Sequence, residues 1–158
     1  MAYHVLRRLR VALGLAEQDL EMSADAAVEN PAMLYRHQLA PELAETIAAY
    51  DRVVFIDAHV DTEGWTPVMW QPVEPLYQPN IVAHHLKPGV ILALCQSLYR
   101  RHPLGYTLSV LGHDFDFGDE LSPETSRLAD QAVTYLKDWL TAELQTWHQS
   151  KHIVRNSY

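Results

Sequence analysis

The stretch Arg52 to Asp61, RVVFIDAHVD, limits the possible folds more than any other part of the chain. Val53 to Ile56 are apolar at every position and not at alternate ones. That pattern suits a strand covered on both faces, which implies a sheet with helices on either side. The run leads straight into Asp57, with His59 and Asp61 close behind. A carboxylate is costly to bury unpaired, so the acid belongs at the rim of the sheet. In open α/β sheets ligands bind beyond the carboxyl ends of the strands. On topology alone Asp57 reads equally well as a ligand contact and as a capping or loop acceptor.

The flanking sequence agrees with an α/β alternation. Tyr3 to Leu13 places Val5, Leu6, Leu9 and Leu13 at helical spacing, with Arg7, Arg8 and Arg10 on the other side, and Gly14 stops the helix. No N-cap residue precedes it. Residues 16–31 read as an acidic surface connection, and Ala32 to His37 as a short strand. Pro41 opens a helix through Tyr50. Trp65 to Val73 carries two prolines and fits an edge strand. Leu76 to Ile81 is loop. Pro88 starts a helix with Val90, Ile91, Leu94, Cys95 and Leu98 as its apolar stripe, ending near Arg100 and Arg101. Gly105 to Leu111 is a further strand, and Gly112 to Leu121 an acidic loop. Ser122-Pro123-Glu124 supplies an N-cap, a proline at N1 and a first-turn acid. The helix they open turns Leu128, Ala132, Tyr135, Leu136, Trp139 and Leu140 inward, then frays into a polar tail over 145–158. The expected fold is one α/β domain over 1–158. Its three layers are helices on both faces of a mostly parallel, doubly wound sheet with one antiparallel or edge strand.

Composition excludes several classes of function. The 158 residues suffice for one domain with a real core. A formal charge of −8 argues against a nucleic-acid partner, since little here would neutralise phosphates. The single cysteine, Cys95, rules out a disulfide framework and reads as a small core residue. No apolar run approaches the roughly 18 residues of a membrane helix, and no signal-peptide pattern opens the chain. These features point to the cytoplasm.

Three groups fall where an α/β sheet binds ligands: Asp57, the pair His84-His85, and His113 with Asp114. Carboxylate and imidazole suit zinc, nickel or a similar ion. For His84 and His85, ahead of the Pro88 helix, capping or solvent exposure is the plainer reading. His59 and Asp61 also read as solvated loop, and the acidic loop lacks the spacing of a calcium site. G-x-S-x-G, P-loop, G-x-G-x-x-G, H-E-x-x-H and paired-cysteine motifs are all absent.

Four stretches in order resemble the hydrogenase maturation endopeptidases, which trim the C-terminal extension of nickel-iron hydrogenase large subunits. They are HQLAPELAE (His37 to Glu45), DRVVFIDA (Asp51 to Ala58), HHLKPGVILAL (His84 to Leu94) and SVLGHDFDFGDELSP (Ser109 to Pro123). The resemblance spans about Met33 to Trp139. It implies a peptidase with no nucleophile motif of its own, which acts on the precursor after nickel insertion and recognises nickel carried by that substrate. The metal contacts it implies are Asp57, in FIDA, and His84, four residues before Pro88, with adjacent His85 as the alternative. Gln38 and His113 are further cleft-lining candidates. No tightly bound organic cofactor and no general base are implied. The implied partner is the large-subunit precursor, not a membrane or a nucleic acid.

The family opens with a strand, a G-x-G-N turn and a first acidic ligand. This chain begins at Met1-Ala2-Tyr3-His4-Val5, which matches the helix after them. The third ligand is therefore expected upstream of Met1. Two other readings stand beside this one: a non-catalytic relative that docks the precursor, and an unrelated hydrolase using Asp57, His84 and His113.

Overall fold

The computed structural model describes residues 1–16, 20, 31–61, 63–77, 86–112 and 121–155, with the side chains of the last helix described to residue 145. Its elements follow as helix α1 (Ala2–Ala12), short helix α2 (Leu43–Ile47), strands β1 (Arg52–His59) and β2 (Val68–Val73), helix α3 (Pro88–Tyr99), strand β3 (Leu104–Leu111) and helix α4 (Pro123–Arg155). The α/β class is as expected. Among the described residues the sheet is small and mixed, not mostly parallel. Its order is β1-β3-β2, with β1 parallel and β2 antiparallel to the central β3.

Helices cover both faces. On one side Val5, Leu6 and Leu9 of α1 pack with Ala129, Ala132, Val133 and Leu136 of α4 over Leu108 and Val110 of β3. Val54 and Ile56 of β1 join this core, and so do Val68 and Trp70 of β2. On the other side Ala44 and Ala48 pack with Ile91 and Cys95, and Phe55 of β1 lies against them. Strand side chains alternate between faces, so the unbroken apolar run of β1 serves both layers. Its residues are nonetheless only half-buried, because β1 has a strand neighbour on one side only among the described residues.

Local chemistry explains the element ends. The Ser122 hydroxyl accepts from the Thr125 N–H at 3.2 Å, the N-cap bond expected of Ser-Pro-Glu. Arg8 of α1 ties the two helices by donating to the Ser126 carbonyl and to Asp130, each at 2.8 Å. Arg52 at the start of β1 meets Glu143 of α4 at 2.8 Å. Helix α3 closes on Arg100 in the left-handed region, with φ 55°.

Several expectations need correction. Residues 32–37 form no strand among the described residues: Met33 is buried and the Tyr35 N–H donates to the Leu20 carbonyl at 3.0 Å, but the segment stays irregular. The Pro41 helix shrinks to five residues. Arg10 is buried with Nε and Nη2 donating to the Ala16 carbonyl, so it closes the turn after α1 instead of facing solvent. Leu98 and Tyr135 are exposed, whereas Leu92 and Ala93 of α3 are buried. The backbone of α4 stays helical to Arg155 where a frayed tail was expected. Residues 113–120 of the acidic loop and 78–81 of the earlier loop lie outside the described residues.

Candidate functional site

Strand β1 does not stop at Asp57 but continues through Ala58 to His59. Asp57 is exposed inside the last turn of the pleat, and its register partner on β3 is Ser109. The carbonyls of Asp51 and His59 accept from Leu104 and Gly112 on the β3 side, at 2.9 Å each. Alternate residues of a strand share one neighbour, so the odd-numbered residues of β1 bond to β3 and the even-numbered ones face the outer edge. The outward N–H of Ala58 is met at 2.8 Å by the Oδ1 atom of Asp57 itself. One carboxylate oxygen thus caps the strand edge. The other has no hydrogen-bond partner among the described residues.

His59 lies on the same face of β1 as Asp57 by the strand alternation. Its Nδ1 sits 2.7 Å from the Ser109 hydroxyl, and the Trp65 ring meets the imidazole edge-on at 5.0 Å. The ring is half-buried and held from two sides. Phe55, two residues before Asp57 on that face, is covered by α2 and α3. Asp57 and His59 lie beyond that covered part, toward the carboxyl end.

Helix α1 begins near the same place. Burial lowers the pKa of the Met1 amino group, and the negative charge of Asp57 partly opposes that shift. From the first turn of α1 a chain of edge-on rings runs from Tyr3 to Tyr35 at 5.3 Å and on to His37 at 5.2 Å. Gln38 follows directly and is exposed. His84, His85, His113 and Asp114 lie outside the described residues. The first turn of α3, which follows the two histidines, packs Gly89 against Glu74 and Leu76. Glu74 comes just after Val73, whose partner Gly105 is near the start of β3. That contact is at the opposite end of the sheet from Asp57.

Two other features carry no comparable geometry. Cys95 is buried with its thiol pKa raised by that burial, and Sγ donates to the Ala44 carbonyl at 3.4 Å, as fits a core residue. A hollow of about 270 Å³ lined by Tyr50, Asp51, Arg100, Arg101, His102 and Pro103 lies at the start of β1, where Arg101 is already paired with Asp51 at 3.1 Å.

Among the described residues no three His, Cys, Asp or Glu side chains converge as a closed metal centre. What stands on one face of β1 is a carboxylate with one oxygen unpartnered among the described residues and, two positions on, a held imidazole. The Asp-x-His spacing is the sequence signal for this pair, and reading His59 as solvated loop hides it, because β1 runs on through His59. The role of Ser109 depends on the β1–β3 register, which no local pattern carries. No protein-family model, curated protein or solved structure matches this chain, and no helix among the described residues is long and apolar enough to cross a membrane.

Proposed function

We propose that the chain is an endopeptidase that removes the C-terminal extension of a nickel-iron hydrogenase large-subunit precursor after nickel insertion. The reading rests on the four stretches that resemble the maturation endopeptidases in order. It is supported by the exposed carboxylate of Asp57 at the carboxyl end of β1, where that resemblance requires an oxygen ligand. Nickel belongs to the substrate. Thiolates of the precursor hold it, and Asp57 contributes an oxygen to its remaining coordination. His84, with His85 as the alternative, contributes a nitrogen. Such mixed coordination suits nickel. The ion serves as the mark that insertion is complete, so a precursor without metal is not cut.

The test is to mix the protein with nickel-loaded precursor and follow loss of the C-terminal peptide by mass spectrometry. Cleavage is expected for the wild type with loaded precursor only, and Asp57→Asn and His84→Ala each abolish it. A precursor that keeps its extension throughout rules the peptidase out. If it is then retained on the immobilised protein, the chain is a docking protein.

A further inference from the structure

We propose that Asp57 and His59 together form a two-residue contact for a divalent transition-metal ion, with Nε2 of His59 as its nitrogen ligand and Ser109 as the residue that positions it. Residues two apart on a strand stand on one face about 6.6 Å apart along the chain. Carboxylate and imidazole side chains bridge that gap when both reach one ion at about 2.0–2.2 Å. One oxygen of Asp57 is fixed on the Ala58 N–H, and the other has no hydrogen-bond partner among the described residues. The imidazole is oriented in advance, since Nδ1 faces the Ser109 hydroxyl at 2.7 Å and Trp65 packs on the ring. With Nδ1–H donating to that oxygen, the lone pair lies on Nε2. A ligating histidine is commonly held in this way through its other nitrogen, and loss of the holding partner costs about 10–100-fold in metal affinity.

A nitrogen and an oxygen suit nickel, zinc or copper, not magnesium or calcium. Two protein groups leave the other coordination positions to a ligand-bearing partner, so the site suits an ion that arrives already bound. Identifying that ion with the nickel of the precursor rests on the proposed function. The contact itself does not. His59 then supplies a nitrogen from the strand that carries Asp57, separately from His84 or His85.

The test is calorimetric titration of the untagged whole chain with Ni²⁺ alone, alongside Asp57→Asn, His59→Gln, Ser109→Ala, His84→Ala and His102→Gln. The expected result is weak Ni²⁺ binding, weakened at least tenfold by Asp57→Asn and by His59→Gln. Ser109→Ala lowers affinity by about tenfold, and His102→Gln at the far end of β1 leaves it unchanged. With Zn²⁺ as a diamagnetic probe, histidine ¹⁵N spectra of the wild type should show Nε2 of His59 shifting while Nδ1 stays protonated. The spectra decide the matter even where a variant fails to fold. Wild-type affinity in His59→Gln, an unmoved Nε2 signal, or no Ni²⁺ binding at all overturns the proposal. No precursor enters this titration, so its outcome is independent of the cleavage assay. A chain that binds Ni²⁺ through His59 but never trims the precursor loses the proposed function and keeps the contact.

Discussion

At the scale of single residues, packing and burial set expectations that can be measured. Gly89 and Gly105 both lie where a Cβ would meet an atom at 2.5 Å, but the obstacles differ. At Gly89 it is the backbone carbonyl of Glu74, held beside a helix whose Gly89 carbonyl accepts from the Leu76 N–H at 2.8 Å. At Gly105 it is the end of the Leu92 side chain, which can turn. Overpacking costs about 1–3 kcal/mol. Gly89→Ala is therefore expected near the upper end of that range and Gly105→Ala near the lower, by urea denaturation. Equal costs would show that Leu92 is as immovable as the backbone. The Cys95 thiol, raised above its ordinary value of 9.0 by burial, sets a pH dependence. The folded state resists ionisation that the unfolded chain undergoes, so the contribution is intact below pH 9.0 and is lost as pH rises toward the folded value. Urea midpoints taken from pH 8 to pH 10 should fall more steeply for the wild type than for Cys95→Ala, and parallel slopes would contradict this.

At the scale of elements, β1 shows what the sequence disclosed and what it concealed. The apolar run, the proline-bearing edge strand, the Pro88 helix and the Ser122 cap were all legible, because each depends on residues within one turn or a few pleats. The ladder was not. Whether a strand is central depends on partners distant in sequence, and here the most apolar strand lies at the side while β3 takes the centre. The same limit explains the missing strand at 32–37, which has the composition but, among the described residues, no more than the Tyr35 bond to the Leu20 carbonyl. For the candidate site, Asp57 was visible from its place after the run. The His59–Ser109 contact needs the register that sets Asp57 opposite Ser109. The ladder also predicts alternating hydrogen exchange along β1. The amides of Val53, Phe55 and Asp57 point to β3 and should exchange slowly, while those of Val54 and Ile56 face the outer edge and should exchange fast. Slow exchange at Val54 and Ile56 would mean that another segment pairs along that edge.

At the scale of the whole molecule, the two helical layers differ in size but share one sheet. The α1–α4 side holds the larger core, and Trp70, Tyr106, Tyr135 and Trp139 form a ring cluster there with neighbouring centroids 4.9–5.7 Å apart. The α2–α3 side is a smaller core around Cys95. Neither layer has a sheet of its own, since Val54 and Ile56 serve one side and Phe55 the other from a single strand. Losing either layer exposes one face of the only sheet among the described residues, which removes the apolar burial that holds the other. Unfolding should therefore be a single cooperative event. Tryptophan emission reports the first layer through Trp70 and Trp139, and the reactivity of Cys95 toward a thiol reagent in a brief pulse reports the second. The two curves should share one urea midpoint. If the thiol became reactive at lower urea than the tryptophans responded, α2 and α3 would come away first, and the chain would unfold as two units joined by a strand.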